Sequence, residues 1–216
     1  IPSIAVGRIT VAIGEPLDPE VVRALPDISR ARATTGAVEA LRVRIGDADL
    51  DFGRIAGERY LYLSINSGPD GVVDSLAFTY QDRLLTLAEA VARAQSLDQR
   101  LRAAGFRPIP EAGPSADLEA LAAAPPGSAG AGPFQLLALE GAETLATMTA
   151  QNLADLSGRE GEANPLADQG DRVWMLDVTL ARPLGFDMTT AVPDGLPWEQ
   201  CINSGSAYPR SAAIEG

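Results

Sequence analysis

The chain has no histidine, no lysine and a single cysteine, Cys201; all 17 of its basic residues are arginines. Each absence removes a chemistry. Histidine is the usual general base near neutral pH. Lysine forms Schiff bases and supplies the cation of nucleotide-binding loops. Their absence excludes Ser-His-Asp, Cys-His and Ser-Lys hydrolases, histidine-ligated metals and ordinary nucleoside triphosphate chemistry. Cys201 has no histidine or lysine to activate its thiol, so a nucleophilic role is not expected. One cysteine cannot close an internal disulfide. Aromatic residues are scarce, at 5%. No run of about 18 apolar residues occurs, so no membrane insertion is expected.

What remains is carboxylate chemistry, arginine recognition, or holding a partner without transforming it. The net charge is −12, and it is uneven. Residues 1–107 carry 14 acids against 13 arginines, whereas residues 108–216 carry 15 acids against 4 arginines. Such a field repels nucleic acid and anionic lipid, and steers a basic protein surface inward. The implied partner is a protein with a basic surface, and no nucleic acid.

At 216 residues and 46% apolar content, the chain is long enough for one large domain or two small ones. Ile9, Val11 and Ile13 alternate in a first strand, and residues 20–25 form one helical turn. Residues 26–37 read as a loop. Leu41, Val43 and Ile45 alternate with Arg42 and Arg44, residues 50–55 return as a partner strand, and 60–65 and 72–80 follow. Four closely spaced strands suggest an antiparallel meander. Thr86 and Glu89 fit a capping box, an apolar stripe runs from Leu87 to Ala104, and Gly105 and Pro108 stop it. These signals predict a helix over 87–104. Residues 134–139 are a strand or a helix start, 142–156 read as a shorter helix, and 172–180 as a strand that can join the first sheet.

The expected fold is therefore α+β: an antiparallel sheet, a meander of about four strands plus a later strand, packed on one long and one shorter helix. The expected divisions are a sheet-plus-helix core at 1–107 and a Pro/Gly/Ala-rich linker at 108–133. An acidic helix-strand segment with an irregular tail follows at 134–216, and either completes the same domain or forms a second.

Asp47, Asp49, Asp51 and Glu58 sit at positions 1, 3, 5 and 12 of a loop spacing that suits calcium. Phe52 takes the place of the glycine that such a loop needs, and both flanks read as strands, so a backbone-bonded acidic turn competes with the metal reading. Asp47, Asp51, Asp74, Asp82, Glu140 and Asp177 are candidates for paired-carboxylate hydrolysis, with or without a metal. Asp177 lies within an apolar strand, where it is expected to pair with an arginine or sit at a sheet edge. Arg42, Arg44, Arg93, Arg100 and Arg102 either bind an anion or pair with neighbouring acids.

These features favour a non-enzymatic, inhibitor-like or immunity-type binding module, with no cofactor beyond the weak calcium motif. The expected contacts are Glu140, Glu143, Asp155, Glu160 and Glu162, with Trp198 as an aromatic anchor. The chain begins at Ile1, which fits removal of a leader or a trimmed end. A periplasmic or secreted setting is expected, with the cytoplasm as the alternative. A carboxylate-based hydrolase and a structural, envelope-associated domain are the competing readings.

Overall fold

The computed structural model describes residues 6–25, 27–28, 31–34, 38–55, 62–109, 134–153 and 170–183. Among them the fold is α+β, with mostly antiparallel strands and one long and one short helix. A three-stranded sheet joins β1 (Val6–Ala12), β4 (Val38–Ile45) and β5 (Ala48–Ile55), with β1 parallel to β4 and β4 antiparallel to β5. An eight-stranded sheet runs in the order β2 (Asp27–Ile28), β3 (Ala31–Thr34), β6 (Leu63–Ser67), β7 (Val73–Thr79), β11 (Trp174–Ala181), β10 (Thr144–Asn152), β9 (Phe134–Gly141), β8 (Arg107–Pro108). Every neighbour in it is antiparallel.

The four early strands are thus divided between two sheets. The β4–β5 hairpin and the β6–β7 pair form as the alternation predicts, but they pack face to face. Phe52 on β5 meets Phe78 on β7 edge-on at 4.8 Å and Tyr80 at 5.3 Å. The late strand β11 adds beside β7, so segments on either side of residues 110–133 share one sheet. Residues 26–37, expected to be a loop, contain β2 and β3.

The long helix α2 (Leu87–Ala103) is fixed by local chemistry at both ends. The Thr86 hydroxyl accepts from the Glu89 amide at 3.2 Å, and the Glu89 carboxylate accepts from the Thr86 amide at 2.9 Å. At the other end Gly105 adopts φ +91°, Phe106 N–H donates to Leu101 O, and Gly105 N–H donates to Arg102 O. This is the paired bonding of a Schellman ending, with Phe106 and Leu101 both in the core. Ala90, Val91, Ala94, Leu97 and Leu101 form the buried stripe, and the helix lies against β9 and β11.

The short helix is α1 (Pro19–Ala24), capped by Asp18. The helix expected at 142–156 is instead β10. Leu145 and Met148 suggested helical spacing, yet they end on opposite sides: Met148 in the main core, Leu145 with Ile109 and Ala138. Three threonines in nine residues favour a pleated strand, and β9 and β11 pair along both its edges. Gln81, fully buried, continues the β7–β11 ladder with its side chain: Nε2 donates to Trp174 O at 3.1 Å, and Leu176 N–H donates to Oε1 at 2.8 Å.

Candidate functional site

Two hairpin ends meet at one end of the molecule. The β4–β5 turn is Gly46-Asp47, with Gly46 at φ +56° as the first turn residue. The β9–β10 turn is Ala142-Glu143, with φ of 47° and 55°. They are in contact: a Cβ placed on Gly46 would stand 3.1 Å from the Ala142 Cβ. Asp47, Glu140 and Glu143 are exposed there. A groove of about 370 Å³, lined by Arg107, Glu140, Glu143, Leu145 and Pro183, runs alongside.

Two consecutive left-handed residues suit a two-residue hairpin, but asparagine or glycine normally fills them. Here they are alanine and glutamate, and each costs on the order of 1 kcal/mol. Pairing of β9 with β10 holds the turn, helped by the Thr144 hydroxyl donating to Ala142 O at 3.3 Å. Glu143→Gly is expected to raise stability by about 0.5–1 kcal/mol, measured by denaturant unfolding. A loss of stability would mean that this turn carries no strain.

The acids of the calcium spacing are spread along a hairpin. Asp49 and Asp51 share the Arg42 guanidinium at 3.8 and 3.7 Å, and Asp51 accepts from the Gly53 amide at 2.8 Å. Phe52, at the position where the calcium loop wants glycine, is buried core. Among the described residues no three acids or cysteines converge on a metal-sized site. Glu58 lies outside the described residues, as do Asp155, Glu160, Glu162, Trp198 and Cys201.

Most arginines among the described residues are engaged with their own fold. Arg44 pairs with Glu15 at 2.9 Å and Arg102 with Asp98 at 2.8 Å. Arg93 donates to Tyr80 O at 2.9 Å and sits 5.6 Å above the Tyr80 ring. Arg100 donates to Asp51 O and lies 5.5 Å from the Phe52 ring centre. Arg172, which sequence reasoning passed over, clamps Glu89 with contacts of 2.8 and 3.1 Å, tying the start of α2 to the approach to β11. The Thr86 amide bond, assisted by Arg172 and Arg83, holds the Glu89 carboxyl below its ordinary range.

Asp177 departs from the sheet-edge position expected for it. It lies on β11, inside the sheet between β7 and β10, and no arginine pairs with it among the described residues. Its Oδ1 accepts from the Thr79 hydroxyl at 3.3 Å. Burial pushes its carboxyl up to about 6, against the pull of that hydrogen bond. Burial and the neighbouring Asp177 charge likewise hold the Tyr62 phenol protonated. Among the described residues the group acting on Asp177 is the Thr79 hydroxyl and not a second carboxylate, so the carboxylate pair of glycoside chemistry is not assembled there. The sequence signal for this environment is faint: Thr79 falls opposite Asp177 only once the register of β7 and β11 is known.

No helix among the described residues is long and apolar enough to cross a membrane. Comparison with protein-family models, curated proteins and solved structures finds no match to this chain.

Proposed function

We propose that this chain is a non-enzymatic binding module that holds a basic protein partner, in the manner of an inhibitor or immunity-type protein, in a periplasmic or secreted setting. The supporting observation is the hairpin end, where two turns from different sheets bring exposed Asp47, Glu140 and Glu143 to one place. A strained backbone that the surrounding ladder maintains is a recurrent mark of a working surface. The charge of the whole chain, −12, adds long-range attraction for a cationic partner. Among the described residues most arginines are committed to internal pairs, which favours the exposed acids as recognition groups.

The test is affinity capture from the source cells with the wild-type chain and with an Asp47→Asn, Glu140→Gln, Glu143→Gln triple variant, followed by titration of the captured partner. The expected result is a partner of basic surface whose affinity falls about tenfold in the triple variant and weakens steeply with salt, as rim charges do. Undiminished binding by the triple variant would remove the hairpin end from the interface. Turnover of a substrate, lost in Asp177→Asn, would overturn the non-catalytic reading.

A further inference from the structure

Opposing residues of an antiparallel ladder turn their side chains to the same face of the sheet. The registers of β8, β9, β10 and β11 therefore set Arg107, Glu140, Leu145 and Ala181 in one row across the eight-stranded sheet. Next to that row, Ile109 and Ala138 pack with Leu145 as a small apolar cluster separate from the main core. Glu143 from the β9–β10 turn and Pro183 from just beyond β11 complete the lining of the groove of about 370 Å³.

The charges of this groove are uncommitted. Arg42 and Asp51 also stand opposite each other in a ladder, on β4 and β5, and their side chains pair at 3.7 Å. Arg107 and Glu140 stand opposite each other without pairing. Neither they nor Glu143 make an ion pair or a side-chain hydrogen bond among the described residues, and all three are exposed. The groove thus presents two carboxylates and one guanidinium beside an apolar floor. Its volume is near the lower end of the ~300–1,000 Å³ that small ligand sites span, which suits one side chain and not a folded element.

We propose that this groove receives one arginine side chain of the basic partner, its methylenes against Leu145 and Pro183 and its guanidinium at Glu140 and Glu143. This occupant rests on the reading of the hairpin end as the surface that holds a basic partner. Charge decides against an acidic or neutral side chain: Glu140 and Glu143 outnumber Arg107 on the lining, and the whole chain carries −12. The apolar floor decides for arginine over lysine. A guanidinium is planar and weakly hydrated, so it lies along apolar surface and donates to two carboxylates at once, whereas an ammonium holds its water. Arginine is also among the residues that most often anchor protein interfaces. Arg107 opposes the incoming cation, so its neutralisation is expected to strengthen binding, a sign that no loss of structure would mimic.

The probe is a capped glycine pentapeptide with one central arginine, titrated at constant ionic strength into isotopically labelled protein and followed by amide chemical shifts. Expected are saturable shifts at residues 105–107 and 140–145, with a dissociation constant of about 1–10 mM. A citrulline peptide, alike in shape but uncharged, is expected not to bind, and a lysine peptide to bind at least about threefold more weakly. Glu140→Gln and Glu143→Gln are each expected to weaken binding about threefold, and Arg107→Gln to tighten it by a similar factor. Equal binding of the citrulline or lysine peptide, no tightening in Arg107→Gln, or shifts elsewhere only, would overturn the proposal. So would a dimer in sedimentation that Glu143→Gln dissolves, since the groove would then hold a second copy. The titration and the affinity capture fail separately. A captured partner that the triple variant releases, without saturable shifts from the arginine peptide, overturns the anchor and keeps the hairpin end. Saturable shifts with no partner captured keep the arginine preference of the groove and remove the partner reading.

Discussion

Gln81→Leu is expected to lower the unfolding free energy by about 2–3 kcal/mol and the thermal midpoint by about 5–10 °C. The reason is positional. After Thr79 the chain leaves β7, yet β11 still offers the Trp174 carbonyl and the Leu176 amide on that side. Tyr80 N–H satisfies Leu176 O at 2.8 Å, and Leu85 exchanges two bonds with Trp174 at 3.0 Å each. Between these points the Gln81 amide stands in for a peptide group, adding a second donor to the Trp174 carbonyl and accepting from the otherwise unpaired Leu176 N–H. Leucine has a similar volume but leaves the Leu176 N–H buried and unpaired, at about 1–3 kcal/mol, while the Trp174 carbonyl keeps its bond from Leu85 N–H. Gln81→Glu keeps the acceptor for Leu176 N–H but turns an oxygen toward Trp174 O, so it is expected to be severe at neutral pH and milder in acid. Denaturant unfolding of both variants is the measurement. A loss below about 1 kcal/mol in Gln81→Leu would show that water or a shifted backbone replaces the side chain.

Asp177→Asn is expected to act in the opposite direction and to depend on pH. The Asp177 carboxyl is raised from an ordinary 3.8 to about 6 in the folded chain. Between those values the folded state keeps a proton that the unfolded chain has released. Wild-type stability from this group is therefore fully present below about pH 3.8 and is lost as pH rises through about 6, where ionisation charges a half-buried site. At 1.36 kcal/mol per pH unit the loss approaches about 3 kcal/mol at pH 7. Asparagine is close in shape and never ionises, so the variant gains up to that amount at pH 7 and little at pH 4. The difference between the two stability–pH curves isolates Asp177 from other acids such as Glu89, whose lowered pKa gives the reverse slope. Parallel curves for wild type and Asp177→Asn would show that Asp177 is solvated in the folded chain. A half-buried carboxyl raised by burial at this point in the sheet is the first residue to examine if any catalytic activity emerges.

Where sequence reasoning succeeded, the determinants lie within a few residues of one another. The helix α2 is legible because Thr86, Glu89, Leu101, Gly105 and Phe106 satisfy one another locally. The β4–β5 hairpin is legible because Leu41, Val43 and Ile45 must turn the same way once they are extended, and Gly46 permits the reversal. The exposed turn acids Asp47, Glu140 and Glu143 were readable as charges. That two turns from different sheets touch was not. Nor was β10, whose Ala-Thr alternation is compatible with either period until β9 and β11 flank it. The polar surroundings of Asp177 were equally hidden, because its hydrogen-bond partner is 98 residues away in the chain.

By itself, then, the sequence determined the missing inventory of bases and amines, the acidic balance, the α+β class and the capped helix. These depend on composition and on bonds that close within about one turn. Only the tertiary structure decided which strands share a sheet, that residues 144–152 are extended, and that Gln81 completes a ladder 95 residues distant. Those outcomes turn on which backbone groups and apolar faces meet across the fold, and on the loss of water where they meet; neither is a property of any short stretch of chain.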